Sequence, residues 1–184
     1  MDQVAEFLRQ LLQGELELAS NRRDYTVGDA LPATLAFQQT MAVILVSSPA
    51  MDVTFKVHFM TNHARRLVAA KWGISDLEVG DARAIDFMKE LCNLLAGRLK
   101  HRLATSGIAA GHSLPFAIQG FNEIFFNNER ADWLLRRAWT FDCPAGRLHA
   151  SVVMAVFDPS LLPTLEGLRH ESVEPTGAGE IEMF

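Results

Sequence analysis

Asp86, Glu90, Asn93 and Gly97 follow one another at intervals of four, three and four residues. At roughly 100° per residue this spacing gathers them within about 60° of one another on one side of an α-helix. The Asn93 amide has no group that titrates near neutral pH, so it cannot serve as a general base. It can hold and orient a water, accepting one hydrogen bond and donating another. Two of the four residues are poor choices for helix formation alone. An interior Gly costs about 1 kcal/mol relative to Ala, and a mid-helix Asn competes for backbone bonds. A Gly one turn beyond an Asn lets another backbone or a ligand come close to the amide. The plain alternative is a solvated helix face, because Asp, Glu, Asn, Lys and His are what surfaces contain.

The same helix, predicted from Asp81 to about Ser106 and Gly107, carries Ile85, Met88, Leu91, Cys92, Leu95, Leu99 and Leu103 on its other side. That broad apolar stripe would seat it on a core, while Lys89, Lys100 and His101 flank the polar cluster. Upstream, Val4, Phe7, Leu8, Leu11 and Leu12 predict a short amphipathic helix stopped by Gly14. Residues 15–32 read as strand and loop. The run Met41–Val46 reads as a strand covered on both faces. In the next strand Met51, Val53, Phe55, Val57 and Phe59 alternate with Asp52, Thr54, Lys56, His58 and Met60, which places the second set mostly in solvent. The turn at Ser47-Ser48-Pro49 makes the pair a hairpin. Thr61 or Asn62 would cap a helix ending at Gly73. Three more strands are predicted over 114–119, 133–141 and 147–157, the last apolar on both faces and therefore central. No strict βαβ alternation occurs, so the expected fold class is α+β, an antiparallel or mixed sheet packed with long helices.

Composition bounds the function. Apolar residues make up 49% of the 184 and charged residues 21%, which suits a globular chain with a substantial core. A net charge of −5 argues against a nucleic-acid binder, which needs a basic footprint. The longest apolar run is too short to cross a bilayer, and no leader pattern opens the chain, so no membrane partner is expected and the expected location is cytoplasmic. Two cysteines without a CxxC pairing make neither a disulfide framework nor a zinc site, and Cys92 reads as a small buried hydrophobe. The six histidines form no HxxxH or HExxH pair, so no metal site is expected. His58 and His101 read as solvated or flanking polar residues. Residues 1–158 are expected to form the domain and 159–184 an acidic, flexible tail.

The stretch 86–97, DFMKELCNLLAG, resembles the phosphatase motif of the CheC/CheX/FliY family: Asp or Ser, three residues, Glu, two residues, Asn, three residues, Gly. Residues 51–73 resemble the strand and helix that precede this motif in the family, Ser113-Leu114-Pro115 with Gly120 the strand that follows, and 133–157 the closing hairpin. The likeness covers most of 40–158 and implies a CheC-like fold. The first helix offers Asp2 and Glu6, then Arg9 where the motif has Asn and Gln13 where it has Gly. One motif instead of two resembles the CheX-type branch. The resemblance implies a hydrolase, a phosphatase acting on the aspartyl phosphate of a CheY-like receiver domain. Asn93 would position the attacking water and Glu90 would dock to a receiver lysine, as the catalytic pair. Asp86 and Gly97 would serve substrate docking. Mg²⁺ would belong to the receiver, with no cofactor bound by this chain. A homodimer joined through sheet edges is also implied. The competing reading is a non-catalytic module of the same fold that binds receiver or flagellar-switch proteins.

Overall fold

Helix α1 spans Asp2–Ser20 in the computed structural model, which describes residues 2–30, 40–120, 131 and 133–168. Val4, Phe7, Leu8, Leu11, Leu12, Leu16 and Ala19 are buried along one side. Gly14 does not end it. The apolar stripe continues through Leu16 and Ala19, and burying those side chains outweighs the roughly 1 kcal/mol that an interior glycine costs. The true stop is Asn21, which adopts a left-handed φ of 54°. Its N–H donates to the Leu18 carbonyl and that of Arg22 to the Glu17 carbonyl, closing a Schellman turn. Residues 15–20, expected as strand and loop, are therefore helical, and the strand of this region is β1 (Thr26–Asp29).

The expected hairpin forms from β2 (Thr40–Ser48) and β3 (Met51–Phe59), with Ser48 opposite Met51. Helix α2 (Thr61–Trp72) follows. Its N-cap is Met60, with no side-chain cap from Thr61 or Asn62, and it ends as expected at Gly73, φ 63°. A 3₁₀ turn over Asp76–Glu78 carries a capping box between Ser75 and Glu78 and leads into α3 (Asp81–Thr105). The later strands are β4 (Gly111–His112), β5 (Phe116–Gln119), β6 (Trp133–Cys143) and β7 (Gly146–Val156). The sheet order is β1-β6-β7-β3-β2-β4, with β5 also on β2. Every described pairing is antiparallel. The α+β class holds, and β7 is central, between β3 and β6.

One face of this sheet makes the main core with the helices. Ile44, Val53, Phe55, Val57, Val152, Met154 and Phe141 pack there with Leu8, Leu11, Leu67, Met88, Leu95 and Leu99. The opposite face departs from expectation. Lys56 is 0% exposed, His58 1% and Thr54 6%, and Met41, Val43, Val153 and Ala155 beside them are also buried. Of the second set of the β3 alternation, Thr54, Lys56 and His58 are therefore not in solvent, whereas Asp52 is half-buried and Met60, just past the strand, is exposed. Strand β3 lies between β2 and β7, and both of its faces are covered. Thr54, Lys56 and His58 each interact with another group there.

Of the region expected as a tail, residues 159–168 are described, and they are folded. Asp158 caps a 3₁₀ turn over Pro159–Leu161 by accepting from the Ser160 N–H, and α4 (Leu162–Glu166) follows. Leu165 and Leu168 are buried within the core that contains α1. Residues 169–184 lie outside the described residues. Replacing Leu165 with Ala should lower unfolding free energy by about 2–3 kcal/mol in urea denaturation, at the low end for a buried leucine. A change near zero would mean that 159–168 adds nothing to the folded core.

Candidate functional site

The site is built on α3. Gly80 is its N-cap and Asp81 places a carboxylate in the first turn, where the helix dipole favours negative charge. The far end closes at Gly107, φ 81°. Its N–H donates to the Ala104 carbonyl and that of Ile108 to the Leu103 carbonyl, with Ile108 and Leu103 both buried. This is a complete Schellman stop with its hydrophobic contact. Between the two ends, Ala84, Met88, Leu91, Cys92, Leu95, Ala96, Leu99 and Leu103 are buried. Ile85, expected within the stripe, is only half-buried. Helix α1 adds a charged tie: Arg98 Nε donates to Glu15 Oε1 at 2.8 Å, and Glu15 is buried.

With the stripe fixed, Asp86, Glu90, Asn93 and Gly97 share the outward side. Asp86 and Gly97 are exposed, while Glu90 and Asn93 are half-buried. The Asn93 amide Nδ2 donates to Glu90 Oε2 over 3.4 Å. A bond that long is weak. It leaves the amide carbonyl and the second N–H uncommitted among the described residues, the condition for holding a water. Asp86 pairs with Lys89 at 2.6 Å, both on the surface, a contact worth about 1 kcal/mol at most. Gly97 answers to nothing inside the chain, because a Cβ built there meets no atom within 4 Å. The structure thus brings all four motif residues to one face. His101 and Lys100 border it, exposed.

Three residues on the α2 side of Glu90 were not foreseen from sequence. Lys71, near the end of α2, comes within reach of the Glu90 charge, Trp72 beside it meets Lys71 and Arg83, and Arg83 lies two turns earlier on the same side of α3. Arg83 was legible in principle, since seven residues bring a helix back almost to the same angle. Lys71 was not, because nothing in a linear reading says where α2 docks. The polar face of α1 is also informative. There Arg9 bonds Glu6 and Gln13, Gln10 donates to Glu6, and Gln13 donates to Glu17. Of the motif-like positions of α1, Glu6, Arg9 and Gln13 are engaged with one another, while Asp2 faces Arg137.

Among the described residues no three His, Cys, Asp or Glu side chains lie together as a metal cluster, and no helix is long and apolar enough to cross a membrane. Cys92 is fully buried behind the motif, and burial pushes its thiol up to about 12. Cys143 is part-exposed.

No family model and no curated protein matches this sequence. Solved structures do match. A chemotactic CheC-like protein from Shewanella oneidensis superposes with a TM-score of 0.63 at 15% identity, over 84% of this chain and 99% of that one. CheX in the CheX–CheY–BeF3–Mg²⁺ complex from Borrelia burgdorferi gives 0.63 at 14% identity, over 84% and 97%. CheX from Vibrio vulnificus gives 0.60 at 13% identity, over 82% and 98%. At such identities the likeness speaks to fold. The chain has the CheC-like fold that its motif led one to expect.

Two measurements check this geometry. Gly97→Ala should raise stability by roughly 0.5–1 kcal/mol in chemical denaturation, since the added methyl meets only open space and the glycine entropy cost is removed. A loss of stability would mean that Gly97 serves packing. In the native protein a thiol reagent should label Cys143 alone, with Cys92 reacting only on unfolding. Rapid labelling of both would show that α3 lifts from the sheet.

Proposed function

We propose that this protein is a phosphatase for the aspartyl phosphate of a CheY-like receiver domain, with the α3 face as its docking and catalytic surface. The observation that carries the reading is the joint placement of Glu90 and Asn93. They are adjacent and half-buried on an outward face, with Asp86 and Gly97 exposed beside them, in a fold shared with a CheX whose structure was solved together with CheY, BeF3 and Mg²⁺. Asn93 holds a water in line with the phosphoryl group, and Glu90 receives the receiver's lysine. Docking excludes bulk water and strengthens that charge-assisted contact. Catalysis here is positioning, which supplies up to roughly 7–11 kcal/mol in favourable cases. The metal that neutralises phosphoryl charge comes with the substrate, as Mg²⁺ on the receiver. Gly97 gives the receiver backbone room, and Asp86 lies at the rim. The reading includes a cytoplasmic location and a homodimer joined through sheet edges, for which β1 is one terminal strand of the described sheet.

The test is phosphate loss from a phosphorylated receiver with Mg²⁺ present. Wild-type protein should accelerate it. Asn93→Ala should lower the rate at saturation by about 10²-fold, the order seen when a positioned polar group is removed, while binding to a BeF3-loaded receiver persists. If Asn93→Ala matches wild type, the catalytic assignment is wrong. If wild type binds loaded receiver without hastening phosphate loss, the protein is a binding module of this fold.

A further inference from the structure

On the α2 side of Glu90 the motif face carries a second feature of different chemistry. The Lys71 ammonium lies 5.0 Å from the Trp72 ring centroid and 5.7 Å from that of Phe87. The two rings meet edge to face at 6.3 Å and 76°. The Arg83 guanidinium lies 5.0 Å from the same indole centroid. Arg83, Phe87 and Glu90 fall on one stripe of α3 by helical spacing, so Lys71 sits over that stripe within reach of the Glu90 charge.

The ordinary account of Lys71 is a cation near the C-terminus of a helix, where the dipole favours it. That accounts for the charge. It does not account for the aromatic seat, nor for a second cation on the same indole. Burial lowers the Lys71 pKa from the usual lysine range, opposed by Glu90, so the position carries an electrostatic cost. Among the described residues neither Lys71 nor Arg83 has a carboxylate within ion-pair distance. Arg83 Nε is buried with no hydrogen-bond acceptor. In a chain of net charge −5, two cations share one aromatic platform at the edge of a docking face, and among the described residues neither is closed into an ion pair, Glu90 acting on Lys71 only from a distance. Aromatic faces hold cations without consuming their charge, which leaves this pair able to receive an external anion.

We propose that Lys71, seated on Trp72 and Phe87 with Arg83 beside it, is a specificity contact that receives an acidic side chain on the surface of the receiver domain. This deepens the phosphatase reading and rests on it. The helical wheel sets Phe87 and Asn93 on opposite sides of Glu90. The Lys71 contact therefore falls away from the water held by Asn93, on receiver surface and not on the phosphoryl group. It selects among receivers by charge, independently of their phosphorylation state, and it acts on affinity rather than on turnover.

The experiment uses the full chain and a CheY-like receiver domain from the same cell, unloaded or loaded with BeF3 and Mg²⁺. Lys71→Met should weaken binding to both forms by a similar factor, about 10-fold as expected for a charge-assisted contact. The loss should shrink as salt rises. In dephosphorylation KM should rise while kcat holds. Lys71→Arg should bind like wild type. Lys71→Glu should bind worse than Lys71→Met and be restored by a receiver carrying Lys in place of one surface acid. Thermal unfolding confirms that each variant is folded. Unchanged affinity in folded Lys71→Met overturns the proposal. So does a loss confined to the loaded receiver with a fall in kcat, which would make Lys71 a phosphoryl contact. If wild type neither binds nor dephosphorylates any receiver, the phosphatase reading and this inference fall together. If wild type does both and Lys71→Met is indistinguishable from it, only this inference falls.

Discussion

The burial of one stripe of α3 on the sheet fixes everything else about the candidate site. A helix is free to rotate about its axis until its apolar side chains choose an angle. Met88, Leu91, Cys92, Leu95, Leu99 and Leu103 choose it here, packing with sheet residues such as Ile44, Val53 and Phe55. Each fully buried side chain of this kind contributes about 1.5–3 kcal/mol, so the combined preference for one rotation far exceeds any surface contact. The outward placement of Glu90 and Asn93 follows from that angle. Neither residue stabilises the arrangement that displays it, and their mutual bond is too long to matter for folding.

Around this helix the structure spends its polar interactions on alignment. The Arg98–Glu15 pair links α3 to α1 across 83 positions of sequence, with the acid buried and the base part-exposed. Its geometric value exceeds its energetic value, because desolvating such a pair offsets much of the attraction. The Schellman stop at Gly107 sets the length of α3. The αL glycine at position 73 ends α2 where Lys71 and Trp72 can meet Phe87 and Arg83. Moving the lysine by one position along α2 would carry it about 100° around the helix, away from Glu90.

Much of this was legible in the sequence because it is periodic. The 3.6-residue repeat of α3, the alternation in β3 and the double-faced apolar pattern of β7 are local signals, and each element formed where expected. The motif face was legible for the same reason, since four residues on one helix need no tertiary information to be brought together. The failures share the opposite cause. Gly14 looked like a stop because a propensity was weighed without Leu16 and Ala19 beyond it. Lys56 and His58 looked solvated because alternation distinguishes two faces of a strand but does not say whether the second is covered. Glu15 joins Arg98, and Lys71 joins Phe87, only after helices dock. No spacing rule reaches across that step.

The self-contained hydrogen-bond network on α1 has a consequence for stoichiometry. Glu6, Arg9, Gln13 and Glu17 occupy the helix that would otherwise be available for a second active face, and they are bonded to one another. Each chain therefore presents one face of the motif type among its described residues. A chain with two such faces could bridge two partners and gain avidity wherever partners cluster, as on a multisubunit assembly. A one-faced chain bridges partners only by pairing with a second copy, so in the homodimer proposed above any avidity belongs to the pair of chains and is lost when the dimer dissociates.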